Sequence, residues 1–297
     1  MSQPRSEMFF LDSSTAVFFY FETDRCMCAC RLQGKVAIIT GGASGIGEAS
    51  ARLFADNGAQ VVIADVQDEL GRQVAASIGP GRCCYVHCDV RDEKQVEAAV
   101  ALAVGRYGRV DVMFSNAGVA GPVAGILELR MEELEETMAT NVRGAAAAIK
   151  HAARAMVAGR TRGSIVCTGS VASCVGGTGP HAYTASKHAL VGLVRSAAAE
   201  LGAHGIRVNC VSPFGVATPL ACGMGNWQPA QVEENCTRLS NLKGIVLKPR
   251  HVADAALFLA SDDSAYVSGH NLVVDGGFTV VNHADPPPPT VDATKIE

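Results

Sequence analysis

A serine, a tyrosine and a lysine near the middle of the chain have the types and spacing of an acid–base catalyst. Tyr183 and Lys187 lie four residues apart, so on a helix they share one face. A free phenol ionises only at about pH 10. A nearby ammonium favours the phenolate, and the hydroxyl of Ser170 can hold a substrate oxygen against it. A surface lysine stacked over a half-buried tyrosine has the same spacing, so the surrounding elements must decide.

A glycine-rich turn upstream indicates a place for a dinucleotide. An apolar run over residues 35–40 leads into Gly41, Gly45 and Gly47, with the spacing G-x-x-x-G-x-G, and a helical stretch follows over 48–55. This order predicts a buried strand, a tight turn and a helix whose N-terminal N–H groups face a pyrophosphate. A turn without a ligand is the alternative that these glycines alone leave open.

An acidic residue after the second apolar run favours NAD over NADP. Residues 59–64 end in Asp65, eighteen positions after Gly47 (65 − 47), where a carboxylate can accept hydrogen bonds from the adenine ribose hydroxyls. Asp65 would repel a 2′-phosphate, and no Lys or Arg lies in the turn or directly after Asp65 to offset that. A solvated strand-end carboxylate or a helix N-cap is the alternative.

The chain between residues 34 and 282 alternates strand-like and helix-like patterns. The predicted strands are 35–40, 59–64, 83–88, 110–114, 163–168, 206–211 and 271–274; the predicted helices include 93–107, 131–156, 182–201 and 252–260. This alternation predicts an α/β fold, a single doubly wound, seven-stranded parallel sheet flanked by helices on both faces. Ligands collect at the carboxyl ends of such strands, where Asp89, Asn116, Ser170 and Pro213 fall.

Composition and charge fit one large domain and argue against several partners. Hydrophobic residues make up 48% of the 297 and charged residues 18%, which is enough apolar material for a sheet buried on both faces. The net charge is −4, and no basic run occurs, so nucleic acid is not an expected partner. No apolar stretch reaches the roughly 20 residues of a membrane span, and no secretory signal is seen, so we expect a cytoplasmic protein without a membrane partner.

The two ends of the chain differ from its middle. We expect residues 1–33 to form a poorly ordered N-terminal extension and residues 283–297, with four consecutive prolines, an extended tail. The catalytic domain would then span 34–282. The 11 cysteines are expected to be reduced thiols. The run of Cys26, Cys28 and Cys30 lacks a zinc spacing, so no metal site is predicted.

Six motifs occur in an order that resembles a known family. They are Thr40-Gly41-x-x-x-Gly45-Ile46-Gly47, Asn116-Ala117-Gly118, Asn141, Ser170, Tyr183-x-x-x-Lys187 and Pro213-x-x-Val216-x-Thr218. On these residues the chain resembles the short-chain dehydrogenase/reductase family over residues 32–282. The stretches 180–189 and 205–213 are similar to those of plant secondary-metabolism members of that family. The resemblance implies a Rossmann domain and a homo-oligomer, specifically a homotetramer.

The resemblance also implies a role for each motif residue. Tyr183 would be the general base for alcohol oxidation, and Lys187 would favour its phenolate and bind the nicotinamide ribose. Ser170 would hold the substrate oxygen, and Asn141 would keep a water-linked proton path to Lys187. The implied cofactor contacts are Gly41, Ser44, Gly45, Ile46, Gly47, Asp65, Asp89, Val90, Asn116, Ala117, Gly118, Tyr183, Lys187, Val216 and Thr218. Of these, Asp89 and Val90 would meet the adenine, and Val216 and Thr218 the carboxamide.

Two positions depart from the family pattern. Ser115 stands where the family usually has an additional Asn, and Phe214 stands where Gly usually follows Pro213. The second departure leaves the backbone near the nicotinamide less well predicted. His181 and His188 are interpreted as ordinary helix residues, because Tyr183 already fills the role of the base.

The expected activity is NAD-dependent interconversion of a hydrophobic secondary alcohol and its ketone, in plant specialised metabolism. Residues 219–242 contain Leu220, Met224 and Trp227 between glycines, which predicts a mobile apolar lid over the substrate. Two alternatives remain at this point. One is a non-catalytic NAD-sensing protein on the same fold, and the other is a ketoacyl-type reductase that prefers NADPH.

Overall fold

A single parallel sheet organises the computed structural model, which describes residues 30–281. Within those residues the strands are β1 Val36–Thr40, β2 Gln60–Asp65, β3 Cys83–His87, β4 Val112–Ser115, β5 Ser164–Thr168, β6 Arg207–Pro213 and β7 Asn271–Val274. Their spatial order is 3-2-1-4-5-6-7, and every adjacent pair is parallel. The predicted seven-stranded doubly wound sheet is confirmed.

Helices cover both faces of this sheet. They are α1 Gly45–Asp56, α2 Asp68–Ile78, α3 Glu93–Tyr107, α4 Met131–Met138, α5 Ala145–Ala158, α6 His181–Leu201, α7 Pro219–Gly225, α8 Pro229–Leu239 and α9 Pro249–Ala260. One apolar cluster joins the sheet to α3, α5 and α6, and the other joins it to α1, α2 and α9. All five residues of β1 and of β5 are buried, as strands between two helical layers must be.

The strand order reverses next to β1. From β1 the chain adds β2 and β3 on one side, and from β4 it adds β5, β6 and β7 on the other. The loops after β1 and β4 therefore lead in opposite directions. Thr40 at the end of β1 pairs in register with Ser115 at the end of β4. The divergence opens a crevice at the carboxyl edge of the sheet, where doubly wound folds bind their ligands.

The helix predicted over 131–156 is interrupted. The chain forms α4, then a π-helical segment over Ala139–Gly144, then α5. This segment contains Asn141, whose side chain bonds to groups outside the helix. Tertiary contacts therefore set the wider helical turn, and local sequence spacing gave no sign of it.

Residues 219–242 contain two helices that the sequence analysis did not predict. Thr218 caps α7, with its hydroxyl accepting from the N–H of Ala221 at 3.4 Å, and Pro219 occupies the first turn. Pro229 opens α8 in the same way, with the side chain of Gln231 accepting from the N–H of Gln228 at 2.8 Å. These are ordinary helix-start signals, hidden by the surrounding glycines.

Two residues just before position 34 pack against the rest of the structure. Leu32 is fully buried, and Arg31 pairs with Asp263. The predictions for residues 1–29 and 282–297, including Cys26 and Cys28, lie outside the described residues. None of the helices in residues 30–281 combines the length and the apolar composition of a membrane span.

The nine cysteines in the described part of the chain are all free thiols. Burial raises the pKa of Cys88 and of Cys210 to about 11, so both remain protonated at neutral pH. Their environment is that of small apolar side chains in the core. Across residues 30–281, no group of three or more Cys, His, Asp or Glu side chains has the arrangement of a metal site.

Candidate active site

One cavity of about 1010 Å³ lies along the carboxyl edge of the sheet. Asp65 ends β2 and Trp227 follows β6, and these strands lie on opposite sides of β1 and β4, so we name the two ends of the cavity after these residues. Most of the predicted site residues line it: Gly41, Ser44, Gly45, Ile46, Asp65, Asp89, Val90, Asn116, Ala117, Gly118, Ser170, Tyr183, Lys187, Val216 and Thr218. Gly47 and Asn141 do not, and each has a position behind the cavity wall. The predicted residues therefore belong to one site with two exceptions.

The glycine turn between β1 and α1 comes too close to other backbone for side chains. Gly41 has a φ of +65°, and a Cβ there would lie 2.9 Å from the Cα of Ala117. A Cβ on Gly47 would lie 2.7 Å from Nδ2 of Asn116 and would collide with the carbonyl of Gly41. Gly41, Gly42 and Gly45 therefore leave backbone uncovered in the turn, and α1 begins directly after Ser44, with first-turn N–H groups that lack an intrahelical acceptor.

Asn116, at the end of β4, fixes the shape of this turn. Its side-chain nitrogen donates to the carbonyls of Thr40 and Gly41 at 3.2 and 3.1 Å, and its oxygen accepts from Thr168 at 3.0 Å. Its own N–H donates to the hydroxyl of Thr40 at 3.0 Å. Asn116 therefore lines the cavity as the predicted motif required, while its side chain ties β1, β4 and β5 together. Ser115, the departure from the family pattern, simply ends β4.

Asp65 ends β2 with its carboxylate at the cavity wall. One oxygen accepts from the N–H of Ala43 in the glycine turn at 2.9 Å, and the other accepts from the N–H of Gln67 at 3.0 Å. The hydroxyl of Tyr85 lies 2.7 Å from the Asp65 carbonyl and 2.6 Å from Asp68. Burial and the Asp68 hydrogen bond raise the pKa of Tyr85, so it stays a neutral donor. Hydrogen bonds thus fix both the carboxylate and the backbone carbonyl of Asp65.

A cation that the sequence analysis overlooked lines the same end of the cavity. Arg91 binds Asp89 through its guanidinium at 2.6 to 3.0 Å, and its N–H donates to the same carboxylate at 2.9 Å. These hydrogen bonds hold the pKa of Asp89 below its ordinary value. The charge of Arg91 is therefore paired beside the predicted adenine pocket, next to Val90.

Tyr183 and Lys187 lie in the first two turns of α6 and face the cavity together. The Nζ of Lys187 is 5.4 Å from the centre of the Tyr183 ring, and it donates to the carbonyl of Thr168 at 2.7 Å. Lys187 is only 3% exposed, so its charge acts in a poorly solvated place. The predicted i, i+4 arrangement on one helical face is present.

Ser170 approaches from the loop after β5 and is 6% exposed. Its Oγ accepts from the N–H of Ala172 at 3.1 Å, and its carbonyl accepts from the hydroxyl of Ser173 at 2.6 Å. Because the Oγ serves as an acceptor here, its own proton is available to a group in the cavity. Ser170, Tyr183 and Lys187 therefore converge on one volume.

Asn141 acts from behind the wall. Its side chain accepts from the N–H of Val119 at 2.9 Å, and donates to the Val119 carbonyl at 2.8 Å and to the hydroxyl of Ser186 at 3.0 Å. Gly118 lies between it and Lys187: a Cβ there would be 3.2 Å from Oδ1 of Asn141 and 3.6 Å from Nζ of Lys187. The side chain of Asn141 thus positions the loop after β4 against α6. Its predicted water-linked path to Lys187 stays a prediction.

The far end of the cavity is largely apolar. Phe214 stacks on Phe278, with ring centres 4.3 Å apart and planes at 17°, and both rings line the wall. The side chain of Cys236 in α8 fills the space beside Gly215, where a Cβ would collide with its sulfur. The other apolar residues of this end include Val119, Val123, Leu220, Met224, Trp227, Val232 and Leu239.

Two polar residues at this end were missed or set aside by the sequence analysis. His181, interpreted as an ordinary helix residue, lines the cavity at the start of α6, and Asn235 lines it from α8. His181 could have been found from its position two residues before Tyr183. Asn235 gave no signal, because α8 itself was not predicted.

Comparison with known proteins places this fold and site in a class and then in a family. A parallel Rossmann sheet with a glycine turn and a Ser-Tyr-Lys set defines a class of oxidoreductases. A family model described as enoyl-(acyl carrier protein) reductase matches residues 41–279. The chain is 62% identical over 255 residues to short-chain dehydrogenase reductase 3b of Arabidopsis thaliana, which covers 86% of this chain and 99% of that protein. The chain belongs to the short-chain dehydrogenase/reductase family.

Further relatives include plant enzymes with named products. The chain is 56% identical to momilactone A synthase of Oryza sativa subsp. japonica, over 86% of this chain and 93% of that one. Among solved structures, levodione reductase matches with a TM-score of 0.79 at 30% identity, over 84% of this chain and all of that one. The predicted similarity to plant secondary-metabolism members is confirmed.

Proposed function

We propose that this chain is an NAD-dependent dehydrogenase that interconverts a hydrophobic secondary alcohol and its ketone in plant specialised metabolism. One observation carries the proposal. Ser170, Tyr183 and Lys187 line the same cavity as the glycine turn and Asp65, and the opposite end of that cavity is apolar. A cofactor and an alcohol bound in this one volume would meet at Tyr183.

The residues present fit a nicotinamide dinucleotide. Gly41 and Gly45 line the cavity without side chains, so a diphosphate could approach the backbone N–H groups at the start of α1. Asp65 would accept from the adenine ribose, and Val90 would contact the adenine. Lys187 would bind the nicotinamide ribose, with Val216 and Thr218 near the carboxamide. A nicotinamide bound there supplies the hydride acceptor for alcohol oxidation.

Asp65 supports NAD rather than NADP. Its carboxylate is fixed by the N–H groups of Ala43 and Gln67, so it cannot turn away from a 2′-phosphate without losing both hydrogen bonds. Arg91 also lines the cavity, but its charge is already paired with Asp89 and does not offset that of Asp65. The pocket therefore favours a ribose with two free hydroxyls.

The protein's own part in the reaction is to hold an oxygen and to move a proton. Ser170 donates to the carbinol oxygen, which leaves that oxygen's proton directed at Tyr183. Tyr183 accepts the proton as its phenolate, and the buried ammonium of Lys187 stabilises that phenolate. In the reverse direction Tyr183 returns the proton to the ketone oxygen. Asn141 holds the loop after β4 so that Gly118 stays beside Lys187.

The proposal extends to the setting of the enzyme. We place the catalytic unit at residues 34–282, between an N-terminal extension over 1–33, whose Arg31 and Leu32 pack against the unit, and a proline-rich tail over 283–297. We also propose a cytoplasmic homotetramer without a membrane or nucleic-acid partner. Family resemblance supports the homotetramer, and sedimentation of the purified protein as a monomer would contradict this part of the proposal.

The test is a substrate screen with a matched pair of tyrosine variants. Purified protein is mixed with a panel of hydrophobic secondary alcohols and either NAD⁺ or NADP⁺, and reduced nicotinamide is measured. Tyr183→Phe should lower kcat by about a thousandfold, while the protein still binds NAD⁺. Tyr266→Phe, at a fully exposed position, should change neither.

Either of two other results would contradict the proposal and favour a different function. Tight NAD⁺ binding with no turnover of any alcohol or ketone, in wild type as in Tyr183→Phe, would indicate an NAD-sensing protein. Preference for NADPH with reduction of ketoacyl substrates would indicate a reductase and would contradict the role proposed for Asp65.

A further inference from the structure

Helix α8 turns one face toward the substrate end of the cavity. Val232, Asn235, Cys236 and Leu239 follow the spacing i, i+3, i+4 and i+7, and all four line the wall. Three of these side chains are apolar. An amide at the remaining position of an apolar stripe is unfavourable unless a ligand or water meets it, which makes Asn235 the exception that needs a reason.

The side chain of Asn235 is oriented by its neighbour one turn along. Nη2 of Arg238 donates to Oδ1 of Asn235 at 3.0 Å. Since a charged donor occupies the oxygen, the amide nitrogen is the atom left for the cavity. Within residues 30–281, no protein group accepts a hydrogen bond from that nitrogen.

The helix that carries Asn235 is held firmly against the sheet end. Val232 is 2% exposed, and Cys236 packs so tightly against Gly215 that no Cβ fits there. Gln228 and Gln231 cap the helix start. The amide therefore sits at a fixed place on a helix that packs beside the loop after β6, whereas Ser170 lies in the loop after β5.

We propose that Asn235 donates a hydrogen bond to a second oxygen of the substrate, remote from the reacting carbinol. This inference rests on the proposed function and narrows its substrate class. The substrate is then an apolar secondary alcohol that carries, away from the carbinol, an acceptor oxygen such as a ketone or an ether. Asn235 is only half-buried, and a bound substrate would exclude water from its amide. A site built to donate to an oxygen then discriminates against the analogue that lacks it, because the donor would lose its water partner and gain no other.

The experiment compares alcohols that differ only in the second oxygen. The pairs are acetylcyclohexanol against isopropylcyclohexanol, substituted opposite the alcohol, and androsterone against the androstanol that lacks its ketone. kcat/KM with NAD⁺ is measured for wild type, Asn235→Leu and Asn235→Asp. Glu234→Gln, at the adjacent exposed position outside the cavity, is the control.

Wild type should prefer the oxygenated member of each pair it uses by about tenfold. Asn235→Leu should abolish that preference, with kcat/KM for the oxygenated member falling to or below the value for the deoxygenated member. Asn235→Asp is nearly the same size and keeps the Arg238 contact, so it should fold even where the leucine variant does not. Its carboxylate should lower kcat/KM for the oxygenated member by at least tenfold.

The failures are distinguishable. Equal use of both members by wild type, or a preference that survives in both Asn235 variants, overturns the role of Asn235 and leaves the proposed function intact. No NAD⁺-dependent turnover of any pair by wild type overturns the proposed function, and this inference with it. Loss of turnover in Glu234→Gln equal to that in Asn235→Leu would show a structural effect of α8 and would also overturn the inference.

Discussion

The two ends of the cavity are built in different ways. At the Asp65 end, side chains bond to backbone: Asn116 holds the glycine turn, Asp65 holds Ala43, and Tyr85 lies against the Asp65 carbonyl. At the Trp227 end, helices α7 and α8 supply mostly apolar side chains, and stacking such as that of Phe214 on Phe278 fills the wall. The first end is specified by directional hydrogen bonds, the second by shape and apolar surface.

This difference accounts for what each end can recognise. Directional bonds fix atoms to within a narrow range and suit a ligand of constant structure, such as a dinucleotide. Apolar packing tolerates a range of shapes and discriminates weakly between similar hydrocarbons. We therefore expect substitutions at the two ends to separate cofactor binding from substrate use.

Among substitutions at the two ends, the largest expected effect is at the glycine turn. Gly47→Ala places a Cβ against the carbonyl of Gly41 and the amide of Asn116, so the turn must open. NAD⁺ affinity measured by calorimetry should fall by more than about a hundredfold. The control is Gly192→Ala in α6, where no atom lies within 4 Å of a new Cβ, and it should bind NAD⁺ as wild type does. Wild-type affinity in Gly47→Ala would break the first half of the comparison.

The next effect concerns the choice of cofactor. Asp65→Asn keeps an oxygen for the N–H of Ala43 but removes the charge that opposes a 2′-phosphate. KM for NAD⁺ should rise about tenfold and KM for NADP⁺ should fall, while KM for the alcohol stays constant. A change in the alcohol's KM alone would show that Asp65 belongs to the other end.

Substitutions at the Trp227 end should affect use of the alcohol and leave cofactor binding unchanged. Trp227→Ala removes a large ring from the apolar wall, so kcat/KM for a hydrophobic alcohol should fall about fivefold with NAD⁺ binding unchanged. Trp227→Phe, which keeps an aromatic ring, should lose much less. Since Trp227 is the chain's single tryptophan, its fluorescence also reports on alcohol binding directly. A rise in the KM for NAD⁺ with Trp227→Ala would contradict the separation of the cofactor end from the substrate end.

The sequence predicted the first end better than the second, for physical reasons. Glycine spacing, strand-end acids and the pair Tyr183 and Lys187 are local patterns imposed by one turn or one helical face. Even α3 was predicted to the residue at 93–107. In contrast, α7 and α8 are started by Thr218 and Pro229 within glycine-rich surroundings that also fit a loop.

Other features were out of reach because only distant contacts define them. The π-helical turn depends on Asn141 reaching Val119 and Ser186. Arg91 and Asn235 enter the cavity wall because neighbouring elements place them there, and their types and spacing alone are ordinary. Gly47 is the reverse case: the sequence motif predicted it as a cofactor contact, but the residue does not line the cavity.

The smallest expected effect is electrostatic, at the Asp65 end. Arg91 lowers the folded-state pKa of Asp89 below the ordinary value of 3.8, so the pair stabilises the fold above about pH 4 and this contribution is lost as pH falls through the lowered value. Asp89→Asn should therefore melt about 1 to 2 °C below wild type at neutral pH. The two melting curves should converge in acid. A difference that grows on acidification would contradict this direction of the pKa shift.

The central claim is that one cavity holds the cofactor at the Asp65 end and the substrate at the Trp227 end, with Tyr183 where they meet. A crystal structure with NAD⁺ and a ketone tests it most directly. The account predicts the adenine ribose within hydrogen-bond distance of Asp65, the diphosphate on the turn from Gly41 to Gly47, and the nicotinamide beside Tyr183. An adenine bound among Trp227 and Leu239, or a nicotinamide out of reach of Tyr183, would contradict it.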